Sequence, residues 1–229
     1  MTVAYQGELE HRDSSGGGGK IGAGDVQWMT AGNGIVHEEF HSQDFTRKGG
    51  TLQMVQLWVN LRAKDKSAKA GYQTLLKAQI PNVTLPQGAG TVRVIAGEFG
   101  GHKGAAKTFT PINVWDVNLH AGKPAELPLP DGHTTTFLVL SGEVEVNGEQ
   151  KAGEGDLAIF EPTGDGITVE AKSDAKLLVM DGDRTRHVQR RPAPVRQALA
   201  EVHLVGIDEE VGVEPADLLG GGPAHQHRR

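Results

Sequence analysis

Along the chain, short stretches rich in apolar and β-branched residues recur between glycine-bearing turns: Val26–Met29, Met54–Asn60, Thr91–Ile95, Asn113–Leu119, Thr135–Leu140, Val144–Asn147, Leu157–Phe160, Ile167–Glu170 and Lys176–Met180. Several alternate with period two, as a strand with one buried face requires. The spacing predicts an all-β sandwich or barrel. In Gly142–Gly148 the valines alternate with carboxylates and lead into Asn147-Gly148, a pair that accepts positive φ and predicts a tight hairpin with one wet face. Gly153-Glu154-Gly155-Asp156 leads into one apolar run just as Gly22-Ala23-Gly24-Asp25 leads into another. This internal echo predicts two related β units, one before about residue 72 and one after about residue 90. Between them Lys64–Ala78 is the one segment that reads as a helix or helical turn, with Leu75 and Leu76 on its buried side. From Arg184 the texture turns Arg-rich and ends in Gly220-Gly221-Gly222-Pro223 and His225-Gln226-His227, which reads as a flexible tail, with one short helix over Arg196–Leu204.

Composition narrows what such a chain can do. At 229 residues, two domains of ordinary size are the better division, and 37% hydrophobic against 23% charged residues permits a packed core. Net charge is −6, and no Lys/Arg block precedes the tail, which argues against direct nucleic-acid binding. No apolar run approaches the roughly 20 residues that span a bilayer, and Met1–Glu8 lacks the regions of a signal peptide, so no membrane is expected and the cytoplasm is the default location. There is no cysteine, which excludes disulfides, thiolate metal sites and cysteine nucleophiles; any metal must sit on His and carboxylate.

The chemistry concentrates in Gly24–Glu39. A strand, a glycine-bearing turn and a returning strand there would put His37 and Glu39 on one face, because residues two apart share a side. Imidazole and carboxylate suit divalent iron, manganese, nickel, copper or zinc, so the pair is half of a metal site. Taken by itself a His-x-Glu pair is more often a surface or hydrogen-bonded pair, since it lacks further donors. Trp58 and Trp115 fall within strand patterns and are expected in the core, while Trp28 and Met29 divide between core and ligand pocket. Glu8, Glu10 and Asp13 could be acid-base groups, but alternating carboxylates on a strand usually mark a solvated face, which is the reading expected here. His102 is expected in a loop and His120 and His133 at strand ends, each exposed or locally hydrogen-bonded; His225 and His227 could take metal only adventitiously.

Gly24–Glu39 resembles the signature of the pirin family, together with Gly7–Ser14 before it and Leu57-Trp58-Val59-Asn60-Leu61 after it; Gly97–Gly100 and Thr110-Pro111 extend the likeness, which runs from about Thr2 to Gly182. The resemblance implies a bicupin: two cupin, or jelly-roll-like, β-barrel domains, the N-terminal one holding a single metal, most often Fe(II), through three His and one Glu. It implies a partial N-terminal cupin over residues 1–72, a linker over 73–90, a metal-free C-terminal cupin over 91–183 and an atypical tail over 184–229. His37 and Glu39 match the third and fourth ligands. The other two belong to a His-x-His element that would precede Met1, so the chain is expected to carry half of the site and to bind metal weakly or not at all. His11 and His41 are the nearby histidines that could substitute, although His11, within Glu10-His11-Arg12-Asp13-Ser14, is expected to serve a hydrogen-bonding role first. The resemblance to bacterial pirins implies a metal-dependent quercetin 2,3-dioxygenase acting on a small aromatic, flavonol-like substrate. Two alternatives stand beside it: the non-enzymatic, metal-responsive coregulator that binds a protein partner, as eukaryotic pirins do, and an inactive truncated cupin.

Overall fold

The structure, a computed structural model, describes residues 1–183; the expected helix over Arg196–Leu204 and the histidines His225 and His227 lie outside the described residues. The first half contributes strands β1 (Thr2–Gln6), β2 (Glu8–Asp13), β3 (Gly18–Gly22), β4 (Val26–Thr30), β5 (His37–His41), β6 (Gln53–Gln56) and β7 (Gly71–Leu75), with one short helix, α1 (Gln43–Lys48), before β6. The second half contributes β8 (Asn82–Thr84), β9 (Gly90–Ala96), β10 (Glu98–Phe99), β11 (His102–Lys103), β12 (Ile112–Leu119), β13 (Pro124–Pro128), β14 (His133–Ser141), β15 (Glu143–Val146), β16 (Gln150–Gly153), β17 (Leu157–Ile159), β18 (Gly166–Ala171) and β19 (Ala175–Asp183).

These strands form two facing pairs of antiparallel sheets and one small hairpin, β10-β11. In the first half, a sheet ordered β6-β1-β4-β7 faces one ordered β3-β2-β5; in the second, a six-stranded sheet ordered β17-β14-β19-β12-β9-β8 faces one ordered β13-β18-β15-β16. The all-β prediction is therefore met, and the turn Asn147-Gly148 takes the expected positive φ angles of 52° and 70°.

The six-stranded sheet explains why its strands read as nearly unbroken apolar runs. Phe137, Val139, Leu177, Val179, Trp115, Val117, Val92 and Val94 point into the core of the second half. Leu138, Leu178, Val114, Ile95 and Ala96 point out of the other face and pack against Val3, Val26, Val55 and Leu57 of the first half. A sheet covered on both sides has no solvent face, so the period-two signal vanishes from its sequence. At about 25 cal/mol per Å² of apolar surface buried, this second interface is a large stabilising contribution that joins the halves through one continuous core.

The echo between the halves is a shared turn. Asp25 Oδ2 accepts from the Gly22 N–H at 3.0 Å, and Asp156 Oδ2 accepts from the Gly153 N–H at 2.8 Å. In each the glycine before the aspartate is left-handed, at φ 91° for Gly24 and 86° for Gly155.

Four expectations fail for identifiable reasons. Lys64–Ala78 is not a helix: 3₁₀ turns at Ala63–Asp65 and Lys77–Gln79 flank strand β7, and the ladder that β7 makes with β4 (Met29 opposite Tyr72, Gln27 opposite Thr74) replaces any local helix. Leu75 is buried as expected, but Leu76 is 46% exposed. Helix α1 is the converse, since Ser42 caps it by accepting from Phe45 N–H at 3.1 Å, and Gly49 ends it at φ 68°. Trp58 is 66% exposed rather than packed in the core, because strand β6 ends at Gln56 and the chain beyond it turns along a cavity. His102 sits in the two-residue strand β11 instead of a loop.

Candidate metal centre

Strands β2 and β5 are paired so that His11 lies opposite Glu39 and Asp13 opposite His37. Alternation then puts all four side chains on one face, His11 and Asp13 from one strand and His37 and Glu39 from the other. Ligand-capable atoms of His11, His37 and Glu39 all lie within 4.8 Å of one another. Two imidazoles and one carboxylate form a donor set that fits a divalent first-row metal. The structure thus brings the two sequence-predicted ligands together and adds His11; His41 instead rests edge-on against Phe45, with ring centres 5.5 Å apart.

His11 does have the hydrogen-bonding environment expected of it. It is fully buried, its Nδ1 lies 2.8 Å from Gln27 Nε2, and its Nε2 lies 3.4 Å from Asp13 Oδ2. The Tyr72 ring stacks on it at 5.0 Å, and burial raises the Tyr72 phenol above its ordinary range. Asp13 is no solvated-face carboxylate. Its Oδ1 accepts from the Ser15 hydroxyl at 2.6 Å and from the Ser15 and Gly17 N–H groups at 2.9 Å each, and its side chain has no exposed area beneath that thin turn. The Ser15 hydroxyl leads these donors in holding the carboxyl down to about 2.

Glu39 is gripped from the facing sheet. Its Oε1 accepts from Gln27 Nε2 at 3.0 Å and Thr2 Oγ1 at 3.2 Å, and its Oε2 accepts from Gln56 Nε2 at 2.5 Å. One amide group of Gln27 therefore spans His11 Nδ1 and Glu39 Oε1. A cation engaging both of those atoms would have to displace it, whereas Gln56 and Thr2 could go on orienting the carboxylate. Sequence reasoning missed Gln27, Gln56 and Thr2. Gln27 carried a faint signal as a polar residue amid Val26, Trp28 and Met29, and it is 97% buried, that is 3% exposed, although it stands beside apolar neighbours.

His37 and Glu39 open onto a cavity of about 390 Å³. Its walls include Trp28, Met29 and Trp58 from the first half and Phe109 from the second. Trp28 is nearly buried and lines the cavity, so the division between core and pocket resolves as both. The space is apolar over much of its wall and polar at the His37–Glu39 end, which suits a flat organic molecule presenting one polar edge. Among the described residues, two further histidines sit apart: His102 and His120 each bond a nearby or facing backbone carbonyl, of Gly100 and Gly88 at 3.0 Å. No helix among the described residues is long and apolar enough to cross a membrane.

Comparison with known proteins agrees with this architecture. A family profile described as Pirin matches residues 1–59, and one described as Pirin C-terminal cupin domain matches residues 114–188. A Pseudomonas aeruginosa protein provisionally named quercetin 2,3-dioxygenase is 52% identical over 183 residues, 80% of this chain. The chain spans 64% of that relative's length. The crystal structure of quercetin 2,3-dioxygenase from Acinetobacter baumannii superposes with a TM-score of 0.79 at 46% identity, covering 84% of this chain and 67% of that one. A bacterial pirin from Escherichia coli, solved in complex with nickel(II), shares the fold with a TM-score of 0.61 at 23% identity, over 80% of this chain and 71% of its own. The chain belongs to the pirin family, and its fold is that family's all-β bicupin.

Proposed function

We propose that this chain binds one divalent metal, most readily Fe(II), through His37 and Glu39 with His11 beside them, and acts as a dioxygenase of the quercetin 2,3-dioxygenase type on a flavonol-like substrate. The observation that carries the reading is the convergence of His11, His37 and Glu39 within 4.8 Å at the polar end of an apolar cavity. The metal, when bound, supplies Lewis acidity toward an oxygen-bearing substrate and a site for dioxygen chemistry. The chain's own residues bind and orient. Trp28 and Met29 offer an apolar wall to a flat ring, Trp58 and Phe109 line the same space from two segments, and Gln56 and Thr2 hold the Glu39 carboxylate toward it.

The test has two readouts. Elemental analysis of the purified chain after loading with Fe(II) should find about one metal per chain, lost in His37→Ala. Oxygen uptake with quercetin should require the loaded metal and fall at least about a hundredfold in the same variant. Turnover unchanged in His37→Ala would remove that residue from the role, and a chain that takes up no metal would overturn the proposal.

A further inference from the structure

The second half carries its own cavity, of about 660 Å³, at the open end between the six-stranded sheet and the β13-β18-β15-β16 sheet. His133, the first residue of β14, lines it. Its Nδ1 lies 3.0 Å from Asp181 Oδ2, and Asp181 is buried with its carboxylate fully enclosed. Asp181 also accepts from Asn113 Nδ2 at 2.7 Å and from Thr135 Oγ1 at 3.0 Å, so side chains from the two neighbouring strands, β12 and β14, converge on one carboxylate. An acceptor-only group in that position assigns the ring hydrogen to Nδ1. Nε2 is then the accepting nitrogen, and it makes no hydrogen bond to any described residue.

A buried carboxylate orienting an imidazole is more machinery than a strand end requires, because Thr135 and Asn113 already satisfy Asp181. What it accomplishes is to fix an acceptor at the cavity wall. Around it the lining is amphipathic. Phe160, Leu129 and Ile167, which all pack with the core of the second half, form an apolar side, while Glu149, Asp156 and Glu161 outnumber Lys151 among the lining residues. That excess of carboxylates disfavours an anion. An acceptor nitrogen beside an apolar wall in a mildly acidic mouth suits a neutral molecule with an O–H group on an apolar body.

We propose that this cavity is a second, metal-independent ligand site, in which His133 Nε2, oriented by Asp181, accepts a hydrogen bond from the hydroxyl of a small phenol-like molecule whose ring lies against Phe160 and Ile167. It stands apart from the His11–His37–Glu39 cluster, the one such metal-capable group among the described residues, and does not depend on the proposed dioxygenase reading.

The test is an NMR titration of the full chain, ¹⁵N-labelled and stripped of metal with chelator, using phenol and anisole, which share a ring but differ in the hydroxyl donor. Phenol should produce saturable shifts at the His133 ring nitrogens and at the Phe160 amide. Anisole should bind at least about fivefold more weakly, the loss of one hydrogen bond. His133→Phe should erase the difference between the two probes while leaving the Asn147 and Gly148 amides in place as a check on folding. Equal binding of the two probes, no saturable shift in this cavity, or an undiminished phenol preference in His133→Phe would overturn the proposal.

Discussion

Asp13 shows how one side chain can act on the site through its neighbours. Its carboxylate closes the turn from β2 to β3 by accepting from Ser15 and Gly17, and its second oxygen faces His11 Nε2. Because those donors stabilise the charged form, the folded-state value drops from 3.8 to about 2. A depressed carboxylate adds stability that is present above its unfolded value and disappears as pH falls through its folded value. The wild-type chain should therefore lose this contribution between pH 3.8 and about 2. In Asp13→Asn that part of the acid limb should flatten, and the two proteins' urea midpoints, measured at intervals down to pH 2 with spectroscopic detection, should converge toward the acid end. Gln27 illustrates the opposite economy: its one amide group satisfies His11 and Glu39 together, so the buried imidazole and the carboxylate have partners before any cation arrives.

At the level of strands and turns, glycine positions separate two kinds of strain. Gly90 opens β9 at φ 140°, and a Cβ there would meet the Asn118 carbonyl oxygen at 1.9 Å, within the β9–β12 ladder. Gly148 sits at φ 70° in its hairpin with nothing within 4 Å. Gly148→Ala should cost only the left-handed penalty, about 1–2 kcal/mol. Gly90→Ala adds a backbone clash that neither strand can relieve without opening the ladder, and should cost more than about 3 kcal/mol. Chemical denaturation with an unchanged m-value would check both, and equal losses would show that β9 can shift away from β12.

The same level shows what could be read from the chain before its structure. The Asn147-Gly148 hairpin and the paired Gly-x-Gly-Asp turns were legible because each is dictated by residues adjacent in sequence. His37 and Glu39 were legible as a pair because a strand puts residues two apart on one side. Strand β7 was not, since Tyr72–Leu75 takes its form from β4, which lies some forty residues away in sequence. Trp58 was misplaced because an aromatic residue in an apolar run signals burial whether it faces a core or a cavity rim. The sequence favours hydrogen bonding for His11 over metal ligation, and its place beside His37 and Glu39 depends on the β2–β5 register, which turns spanning Ser14–Gly17 and Gly22–Asp25 and two intervening strands determine together. Gln27, Gln56 and Thr2 reach Glu39 from three strands of the facing sheet, a convergence that no local spacing encodes.

Across the whole molecule, the two halves are joined by more than apolar packing. In the core between them, Arg93 of β9 donates from Nη1 to Asp116 of β12 at 2.7 Å and from Nη2 to the Gly24 carbonyl in the first half's echo turn. Asp116 is almost fully buried, and that burial pushes its carboxyl upward while Arg93 and Lys176 pull it back. The pair is thus a charged bolt in a largely apolar seam lined by Val3, Val26, Val114 and Leu178. Its net worth relative to an apolar pair is small, but breaking it one-sidedly leaves a buried charge. Arg93→Met should destabilise the chain by about 3–5 kcal/mol, and Arg93→Met with Asp116→Leu should recover most of that loss, giving a large coupling in a double-mutant cycle. The single variant should also regain stability on mild acidification: with Arg93 gone, Asp116 is held above its ordinary value by burial, so the folded state binds the proton more tightly than the unfolded one does. If the two substitutions prove additive, the seam tolerates an unpaired carboxylate, water must reach Asp116, and the halves are held together by their apolar contacts alone.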